Sequence, residues 1–303
     1  MFERSGFWLQ TILSLAKTFQ MPKALARDDY LQLVRSALAE DVGSGDVTTM
    51  SLITKDSFAS GVIVAKEPLV MAGVDLAIAS FREIEESIDF SVEVLDGQDG
   101  DFFQPLIRIH GPARALLTAE RTALNFVQRL SGIATLTAKY VQQVAGTDAK
   151  ILDTRKTIPG WRILEKYAVA CGGGTNHRIG LYDQVMIKDN HLVAMGGDIR
   201  KAVHSARENY PKLIIEVEAD TVKQAEIAAD AGADIILLDN MSCEELCKSI
   251  EIISGRSKTE ASGGITIDNV REIAETGVDY ISIGALTHSA PAVDIGFDFD
   301  QLS

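Results

Sequence analysis

The alternation of apolar and polar positions divides the chain into two parts that differ in their predicted secondary structure. From Asp28 to Pro112, an amphipathic helix that ends at Gly43 precedes short strand-like runs and a second helix. From residue 150 onwards, apolar runs of strand length alternate with helical segments. The first part therefore predicts an α+β unit with a small antiparallel sheet, and the second predicts βαβ units around a parallel sheet.

The N-terminal part also contains a segment with the pattern of a loop and a segment with the pattern of a long helix. The sequence GSGDVTT, which begins at Gly43, is rich in turn residues and predicts an irregular segment. Helical periodicity runs from Ala113 to Gly132 and then resumes as far as Val144. The other predicted elements are strands over 58–65, 69–71, 90–95 and 106–110 and a helix over 74–86.

The C-terminal part contains six predicted strands, over 150–153, 184–187, 213–217, 234–238, 259–261 and 280–283. Two of these strands, IIEV and DIILL, are almost continuously apolar, which is typical of parallel strands that are buried on both faces. Because the strands and helices alternate without a break, the pattern favours a β/α barrel over a doubly wound sheet. With six strands, this barrel would be smaller than the usual eight-stranded one.

The polar residues that follow the predicted strands are the main indication of function. In a β/α barrel these residues meet at one face, where the active site forms. Two of the strand endings are rich in glycine and lie late in the chain, so their free backbone N–H groups predict a phosphate site. The endings are Asp153-Thr154-Arg155-Lys156, Lys188-Asp189-Asn190, Glu216 with Glu218, Asp239-Asn240, Ser262-Gly263-Gly264 and Gly284-Ala285.

Cationic and ring-nitrogen side chains are concentrated between residues 153 and 191. The chain as a whole is acidic, with 29 Lys and Arg, 43 Asp and Glu and a net charge of −14, which argues against nucleic acid and anionic membrane as partners. A positive pocket on such a protein indicates an anionic ligand, and arginine binds carboxylates and phosphates with two hydrogen bonds at once. The acids that would share this pocket suit ribose hydroxyls or Mg²⁺. The cluster consists of Arg155, Lys156, His177, Arg178 and Lys188, with Glu218, Asp239 and Asp189 as the acids.

Structural roles would also explain several of these residues taken singly. His177 could be a core histidine with satisfied hydrogen bonds, and Glu218 and Asp239 could form a salt bridge at the barrel mouth. We expect His177 to stay mostly neutral beside the charge of Arg178, and therefore to act in hydrogen bonding and not as a general base. The sequence contains no P-loop, dinucleotide fingerprint or zinc motif.

Several motifs in this order resemble quinolinate phosphoribosyltransferase. The resemblance covers roughly residues 28–295 and departs from the family at Thr175, where the family more often has His before Asn-His-Arg. The motifs are EDVGSGDVTT, AERTALNFVQRLSGIAT, DTRKTIPGWR, KYAVACGGGTNHRIGLYD, IKDNH, IEVE, LLDN, EASGGI and IGALTHSA.

The resemblance implies a fold, a reaction and a subunit arrangement. The expected fold is an N-terminal α/β sandwich domain, residues 1–130 joined by the C-terminal tail 289–303, plus a partial six-stranded parallel β/α barrel over 131–288. The implied reaction joins quinolinate to the phosphoribosyl group of phosphoribosyl pyrophosphate, with Mg²⁺, and gives nicotinate mononucleotide, pyrophosphate and CO₂ in de novo NAD biosynthesis. The implied assembly is a homodimer or a hexamer of dimers.

The resemblance also assigns roles to individual residues. Quinolinate would be bound by one set of residues, with Arg121 contributed by the neighbouring subunit: Arg121, Thr154, Arg155, His177, Arg178 and Lys188, with Asp189 adjacent. Lys156, Glu218 and Asp239 would hold the phosphoribosyl group and its metal-linked pyrophosphate and take part in catalysis, with no dedicated metal site. The phosphate would be held by Ser262, Gly263, Gly264, Gly284 and His288.

Two other functions remain open at this point. A related enzyme with a different acceptor, such as the homologue linked to molybdate uptake, would not need all five cationic and ring-nitrogen groups. A non-catalytic phosphosugar-binding module would not need both Glu218 and Asp239.

The N-terminal segment and the cysteine content bear on location. Residues 1–20 have apolar positions at helical spacing but are too short and too polar to span a membrane, so we expect an amphipathic helix there. Three cysteines do not suggest a disulfide framework. We therefore expect a cytoplasmic protein.

Overall fold

The structure, a computed structural model, describes residues 23–302. The amphipathic helix expected over residues 1–20 lies outside this range. The described chain forms an N-terminal α/β unit built on an antiparallel sheet and a C-terminal unit built on a parallel sheet. The predicted fold class, an α/β protein with an N-terminal sandwich and a partial six-stranded β/α barrel, is confirmed.

The N-terminal unit contains a four-stranded antiparallel sheet with the strand order β12-β1-β5-β3 and a small ribbon of β2 and β4. Strand β12 comes from the C-terminal end of the chain, so the end of the chain returns to the first strand. The elements are α1 Leu31–Val42, α2 Val47–Leu52, β1 Phe58–Ala65, β2 Leu69–Val70, α3 Val74–Ile84, β3 Asp89–Val92, β4 Asp99–Gly100, β5 Pro105–Pro112 and α4 Ala113–Gln143, with β12 Ile295–Leu302.

Two elements of this unit differ from the sequence prediction. The turn-rich segment contains the short helix α2, because the side chain of Asp46 accepts a hydrogen bond from the backbone N–H of Thr49, at 2.9 Å, and caps the helix. The long helix α4 continues through Gly132 without a break. A Cβ atom at Gly132 would lie 2.0 Å from the carbonyl oxygen of Pro291, so this glycine allows a close approach of the C-terminal segment and does not end the helix.

The C-terminal unit contains six parallel strands in the order β6-β11-β10-β9-β8-β7. Strand β6 pairs with the last strand of the series and not with β7, so the barrel is open between β6 and β7. Two short helices, α6 and α11, were not predicted. The elements are β6 Lys150–Leu152, α5 Arg162–Cys171, β7 Val185–Ile187, α6 Asp189–Ala194, α7 Ile199–Asn209, β8 Ile215–Ala219, α8 Val222–Asp230, β9 Ile235–Asp239, α9 Cys243–Ile253, β10 Lys258–Ser262, α10 Val270–Glu275, β11 Tyr280–Ser282 and α11 Ala285–His288.

Strand β8 places apolar side chains towards the helices and acidic side chains towards the barrel interior. In β8, Ile215, Val217 and Ala219 belong to the apolar core between sheet and helices. Glu216 and Glu218 alternate with them and therefore point to the other face of the strand. Glu218 is nearer to the C-terminal end of the strand, and Glu216 lies one step deeper, where it is fully buried. The interior thus has an upper layer of polar groups at the mouth and a second layer beneath it.

None of the helices within residues 23–302 combines the length and the apolar character that a membrane span requires. The domain boundary that we expected at residue 130 falls inside helix α4, which runs from the N-terminal unit to the barrel and packs on α3 and α5.

Candidate active site

A cavity of about 860 Å³ opens at the C-terminal ends of the barrel strands. It brings together most of the residues that the sequence singled out: Thr154, Arg155, Lys156, His177, Arg178, Lys188, Glu218, Asp239, Ser262, Gly263, Gly264, Gly284 and His288. The structure adds further lining residues, namely Met186, Leu237, Asn240, Glu260, Ile265, Ser282, Ile283 and Ala285.

Arg121 and Asp189, which were also predicted for the site, do not line this cavity. Arg121 lies on α4 with 59% of its side chain exposed, and its nearest acidic partner is Glu120, at 3.7 Å. Asp189 is the exposed first residue of α6, where its Oδ1 accepts a hydrogen bond from the N–H of Asn190. Thr175, the position that departs from the family pattern, is also outside the cavity and pairs through its backbone with β6.

A buried network connects the two chain segments that carry Arg155 and Arg178. The carboxylate of Asp153, which directly precedes Thr154 and Arg155, accepts hydrogen bonds from the backbone N–H of His177, at 2.8 Å, and from Nδ2 of Asn176, at 2.7 Å. Its other partner is the buried ammonium group of Lys166 on α5, which also donates to the carbonyl oxygen of His177. The segment 175–178 is therefore fixed beside the edge of β6 at the open side of the barrel.

Two guanidinium groups stand close together in the cavity. Arg155 and Arg178 form no ion pair with any acid in the described chain, and Nε of Arg155 is buried without a hydrogen-bond partner. Burial, and then the charge of Arg155, lower the pKa of Arg178. Their mutual repulsion would be relieved by an anionic ligand, and two carboxylates on adjacent atoms of one ring would suit two guanidinium groups.

His177 lies between two buried carboxylates. Its Nε2 is 3.1 Å from Oε2 of Glu216 and 3.4 Å from Oε2 of Glu260. Burial alone would lower the pKa of His177, but the two carboxylates raise it to about 10. The direction of the pKa shift expected from Arg178 is therefore wrong, because the two acids outweigh the nearby cation.

Glu216 is the nearer of the two carboxylates to the ring of His177. Burial raises the pKa of Glu216, and the contact with His177 offsets part of this rise. Nδ1 of His177 accepts a hydrogen bond from the backbone N–H of Arg178, at 2.7 Å, so this nitrogen has no proton of its own. The nitrogen that carries a ring proton is therefore Nε2, which faces both carboxylates.

The opposite side of the cavity carries Glu218 and Asp239. Nζ of Lys188 donates to Oε2 of Glu218 at 2.8 Å, so this lysine connects the cationic and acidic sides. Burial, then Glu218 and Asp220, raise the pKa of Asp239. Asn240 adopts a left-handed backbone conformation with φ of 52° and donates from Nδ2 to Oδ2 of Asp239.

The glycine-rich strand endings form a narrow part of the cavity. Gly263 has φ of 90°, and a Cβ atom there would lie 2.1 Å from Oδ1 of Asn240, so only glycine fits. A Cβ atom at Gly284 would lie 2.9 Å from Cδ of Lys156. The hydroxyl group of Thr287 donates to the carbonyl oxygen of Lys156 at 2.7 Å, which ties α11 to the segment that carries Arg155.

One group of residues in the described chain has the composition of a metal site. Ligand atoms of His177, Glu216 and Glu260 lie within 4.8 Å of one another. Because Nδ1 of His177 accepts a hydrogen bond, the neutral ring carries its proton on Nε2, and this nitrogen cannot be a metal ligand. We therefore interpret the group as a hydrogen-bonding cluster.

Sequence reasoning did not assign roles to Glu260, Met186 or Asn240, and it noted Glu216 only as part of a strand ending. The positions of Glu216 and Glu260 in the sequence do contain an indication that both face the cavity. Each lies two residues before a predicted site residue on the same strand, Glu216 before Glu218 and Glu260 before Ser262, and therefore on the same face. The spacing could not show that both side chains approach His177.

An open β/α barrel whose strand ends meet at a cavity with cations on one side and carboxylates on the other is the architecture of an enzyme that acts on anionic small molecules. Sequence comparison gives the family. The models of the quinolinate phosphoribosyl transferase N-terminal and C-terminal domains match residues 46–131 and 133–298. The chain belongs to the quinolinate phosphoribosyl transferase family, as the motifs indicated.

Individual relatives agree with this assignment. The chain is 43% identical over 271 residues to the probable nicotinate-nucleotide pyrophosphorylase [carboxylating] of Bacillus subtilis (strain 168), covering 88% of this chain and 92% of that protein. It is 44% identical over 271 residues to the nicotinate-nucleotide pyrophosphorylase [carboxylating] of Mycobacterium leprae (strain TN), covering 88% and 95%. The solved structure of the nicotinate-nucleotide pyrophosphorylase from Francisella tularensis superposes with a TM-score of 0.88 at 38% sequence identity, covering 93% of this chain and 99% of that one.

Proposed function

We propose that the protein transfers the phosphoribosyl group of phosphoribosyl pyrophosphate to the ring nitrogen of quinolinate and removes a carboxyl group as CO₂. The products are nicotinate mononucleotide, pyrophosphate and CO₂, which makes this a step of de novo NAD biosynthesis. We place this reaction in the cytoplasm.

The pair of Arg155 and Arg178 is the observation that carries this proposal. Both guanidinium groups line the cavity, and neither pairs with an acid of the described chain. Quinolinate carries two carboxylates on neighbouring ring carbons, so one molecule can neutralise both arginines. Charge-assisted hydrogen bonds of this kind contribute about 1.5–3 kcal/mol each.

The acidic side of the cavity suits the chemistry of ribose transfer. The ring nitrogen attacks C1 of the ribose while the bond from C1 to the pyrophosphate oxygen breaks, and positive charge develops on the ribose as it does in glycoside cleavage. The carboxylates of Glu218 and Asp239 can bind the ribose hydroxyls and stabilise this charge. In the second step, the bond between C2 and its carboxylate breaks, the positively charged ring accepts the electron pair, and C2 then takes up a proton.

The residues present fit a donor that arrives with Mg²⁺. Burial has the largest effect on the raised pKa of Asp239, and the charges of Glu218 and Asp220 raise it further. A cation near these acids would therefore relieve their repulsion. Mg²⁺ commonly binds through substrate phosphates, and Glu218 and Asp239 would face the ion that the pyrophosphate carries. When bound, the ion neutralises the charge of the leaving pyrophosphate. We expect activity to stop when Mg²⁺ is chelated, and elemental analysis of the protein without donor to find no stoichiometric metal.

We also propose that the enzyme works as a homodimer or as a hexamer of dimers in which Arg121 enters the cavity of the neighbouring subunit. Arg121 is exposed and does not line the cavity of its own chain. Helix α2 lies beside the N-terminal part of α4, where Arg114 donates a hydrogen bond to the carbonyl oxygen of Ile53, the residue that follows α2. Two apolar residues of α2, Val47 and Leu52, are exposed at 77% and 75%. Exposed apolar side chains of this size favour a subunit contact.

Calorimetry and product analysis together test the proposal against its alternatives. We expect quinolinate to bind, and the complete reaction to release CO₂ and pyrophosphate in equal amounts. An enzyme for another acceptor would turn over a monocarboxylate without release of CO₂. A phosphosugar-binding module would bind the donor without any product.

A further inference from the structure

The deepest polar groups of the barrel have more hydrogen-bonding capacity than they use. Four buried polar atoms there, Nε2 of His177, Oε1 of Glu216 and both carboxylate oxygens of Glu260, make no well-aligned hydrogen bond within the described residues, although Nε2 lies 3.1 Å from Oε2 of Glu216. Glu216 and Glu260 are fully buried, at 0% and 1% exposure. Acids at such depth are costly to bury, so their presence requires a role that an apolar side chain could not fill.

Two paths lead from Glu216 to Arg178. In the first path, Glu216 contacts Nε2 of His177, whose Nδ1 accepts a hydrogen bond from the backbone N–H of Arg178. In the second path, Oε2 of Glu216 accepts a hydrogen bond from the side-chain Nε2 of Gln184, at 2.6 Å. The backbone carbonyl oxygen of Gln184 in turn accepts a hydrogen bond from Nη1 of Arg178, at 3.4 Å. The first path fixes the backbone of Arg178, and the second fixes its guanidinium group.

Few other contacts restrain this guanidinium group. Besides the carbonyl oxygen of Gln184, its hydrogen-bond acceptor is the thioether sulfur of Met186, at 3.3 Å from Nη2, which is a weak acceptor. The neighbouring Arg155 repels it. The direction in which Arg178 points therefore depends on the residues held by Glu216.

We propose that Glu216, together with Glu260, is a positioning residue for quinolinate binding, which acts through His177 and Gln184 to hold Arg178 in the cavity. This inference rests on the proposed function, because it assigns Arg178 to quinolinate. Glu260 contacts the same ring nitrogen from the adjacent part of the cavity wall and keeps the imidazole between two acceptors.

The main test is the variant Glu216→Met, which preserves the length of the side chain and removes its acceptor oxygens. We expect the calorimetric Kd for quinolinate to rise at least tenfold, while the KM for phosphoribosyl pyrophosphate stays within about twofold. The variant Glu216→Gln retains one acceptor oxygen for Gln184 and should stay within about threefold of the wild-type Kd.

A matched control separates positioning from loss of stability. Asp96 is also buried and accepts hydrogen bonds from the hydroxyl group of Tyr167, at 2.7 Å, and from the N–H of Val74, but it does not line the cavity. Asp96→Leu should lower the melting temperature and leave the Kd for quinolinate unchanged. If Glu216→Met does not fold, Gln184→Met removes the donor of the second path and should itself raise the Kd at least threefold.

Three results would overturn the inference. The first is an unchanged Kd in Glu216→Met, or in Gln184→Met where that variant replaces it. The second is an equal rise of the quinolinate Kd and the donor KM, and the third is a Glu216→Gln variant that binds no better than Glu216→Met. A wild-type protein that does not bind quinolinate would instead contradict the proposed function, so the two failures can be distinguished.

Discussion

At the scale of single residues, Arg155 and Arg178 are two cationic side chains of the cavity that have no acidic partner in the described chain. Both side chains are partly buried, both lack an acidic partner within residues 23–302, and each is close enough to repel the other. An arrangement that is unfavourable without a ligand becomes favourable when a dianion binds, because the ligand supplies the negative charge that the protein does not.

We expect Arg155→Ala and Arg178→Ala to lose quinolinate binding and to remain folded. Each variant removes up to two charge-assisted hydrogen bonds at about 1.5–3 kcal/mol each, so the Kd should rise by at least tenfold. Stability should change little or increase, because either substitution removes a repulsive pair. Calorimetric titration measures the Kd, and circular dichroism checks the fold. Unchanged affinity in both variants would show that quinolinate binds elsewhere.

The acidic side of the cavity should be visible in the pH dependence of the reaction. The pKa of Asp239 is raised by burial, then by Glu218 and Asp220, and lowered by its hydrogen bond from Asn240 and by Lys188. We propose that Asp239 binds the donor as the carboxylate. Activity at limiting donor should therefore fall on acidification at a higher pH than an ordinary aspartate would give.

Asp220→Asn tests this dependence without a change inside the cavity. Asp220 is exposed and does not line the cavity, but its charge contributes to the raised pKa of Asp239. Removal of this charge lowers the pKa of Asp239, so the acid limb of kcat/KM for the donor should move to lower pH. Its position should be compared with that in Asp198→Asn, an exposed helix cap on α7 away from the cavity. An acid limb that is the same in both variants and the wild type would exclude Asp239 as the titrating group.

The residues of the site differ in how far sequence alone could identify them. Glu218 and Asp239 could be predicted because each follows an apolar strand, and such positions meet at one end of a barrel. The role of Glu260 could not be predicted, because it depends on which side chain faces it across the barrel interior. The raised pKa of His177 has the same origin, since Glu216 and Glu260 are distant from it in sequence.

At the scale of secondary-structure elements, the open side of the barrel determines the shape of the site. Strand β6 pairs with β11, so no strand closes the sheet between β6 and β7. The backbone of Thr175 pairs with β6, and the chain then continues through His177 and Arg178 to β7. In this way, a segment without regular structure places His177 and Arg178 in the cavity wall, where a closed barrel would have further strands.

The ion pair of Asp153 and Lys166 should be essential for this segment. Both side chains are buried, burial raises the pKa of Asp153, and burial lowers that of Lys166. Burial of these two charges therefore carries a large desolvation free energy, and removal of one partner would leave the other charge unpaired.

We expect Lys166→Met to lower the free energy of unfolding by about 3–5 kcal/mol, because the carboxylate of Asp153 loses its buried counter-charge. Urea denaturation at neutral pH measures the change. Lys139→Met is a suitable control, because Lys139 is exposed on α4 and should contribute less than about 0.5 kcal/mol. A loss below about 1 kcal/mol in Lys166→Met would mean that Asp153 finds other partners and that the segment does not depend on the pair.

Elements with a clear apolar pattern could be predicted from sequence, whereas the short helices α6 and α11 could not. The strands of the barrel follow apolar runs, so their number and order of appearance could be predicted. Helix α11 has four residues and α6 has six, which is too short for a helical period to be recognised. The continuation of α4 through Gly132 depends on the approach of Pro291, and sequence contains no signal for a contact between such distant positions.

At the scale of the whole molecule, α4 connects the two units and carries Arg121 on an exposed face. Further along the same helix, Arg129 forms an ion pair with the buried Glu165 of α5, at 3.0 Å, and donates to the carbonyl oxygen of Ala290 at 2.7 Å. The helix is thus fixed to the barrel at Arg129, while Arg121 is exposed and does not line the cavity of its own chain. An exposed arginine whose ion pair within residues 23–302 is with Glu120 would ordinarily contribute little to stability.

A mixed dimer tests whether Arg121 serves the neighbouring subunit. Arg121→Ala and Arg155→Ala should each be nearly inactive alone, because every site of either homodimer lacks one arginine. In a two-fold dimer formed from one chain of each kind, one site combines Arg121 and Arg155 from different chains and is complete, while the other lacks both. Refolding the two variants together in equal amounts produces about half mixed dimers, so roughly a quarter of the wild-type activity should return.

Mass analysis must first show that the mixed dimers have formed. A mixture that contains them and stays as inactive as its parents would mean that Arg121 acts within its own chain or takes no part in the reaction.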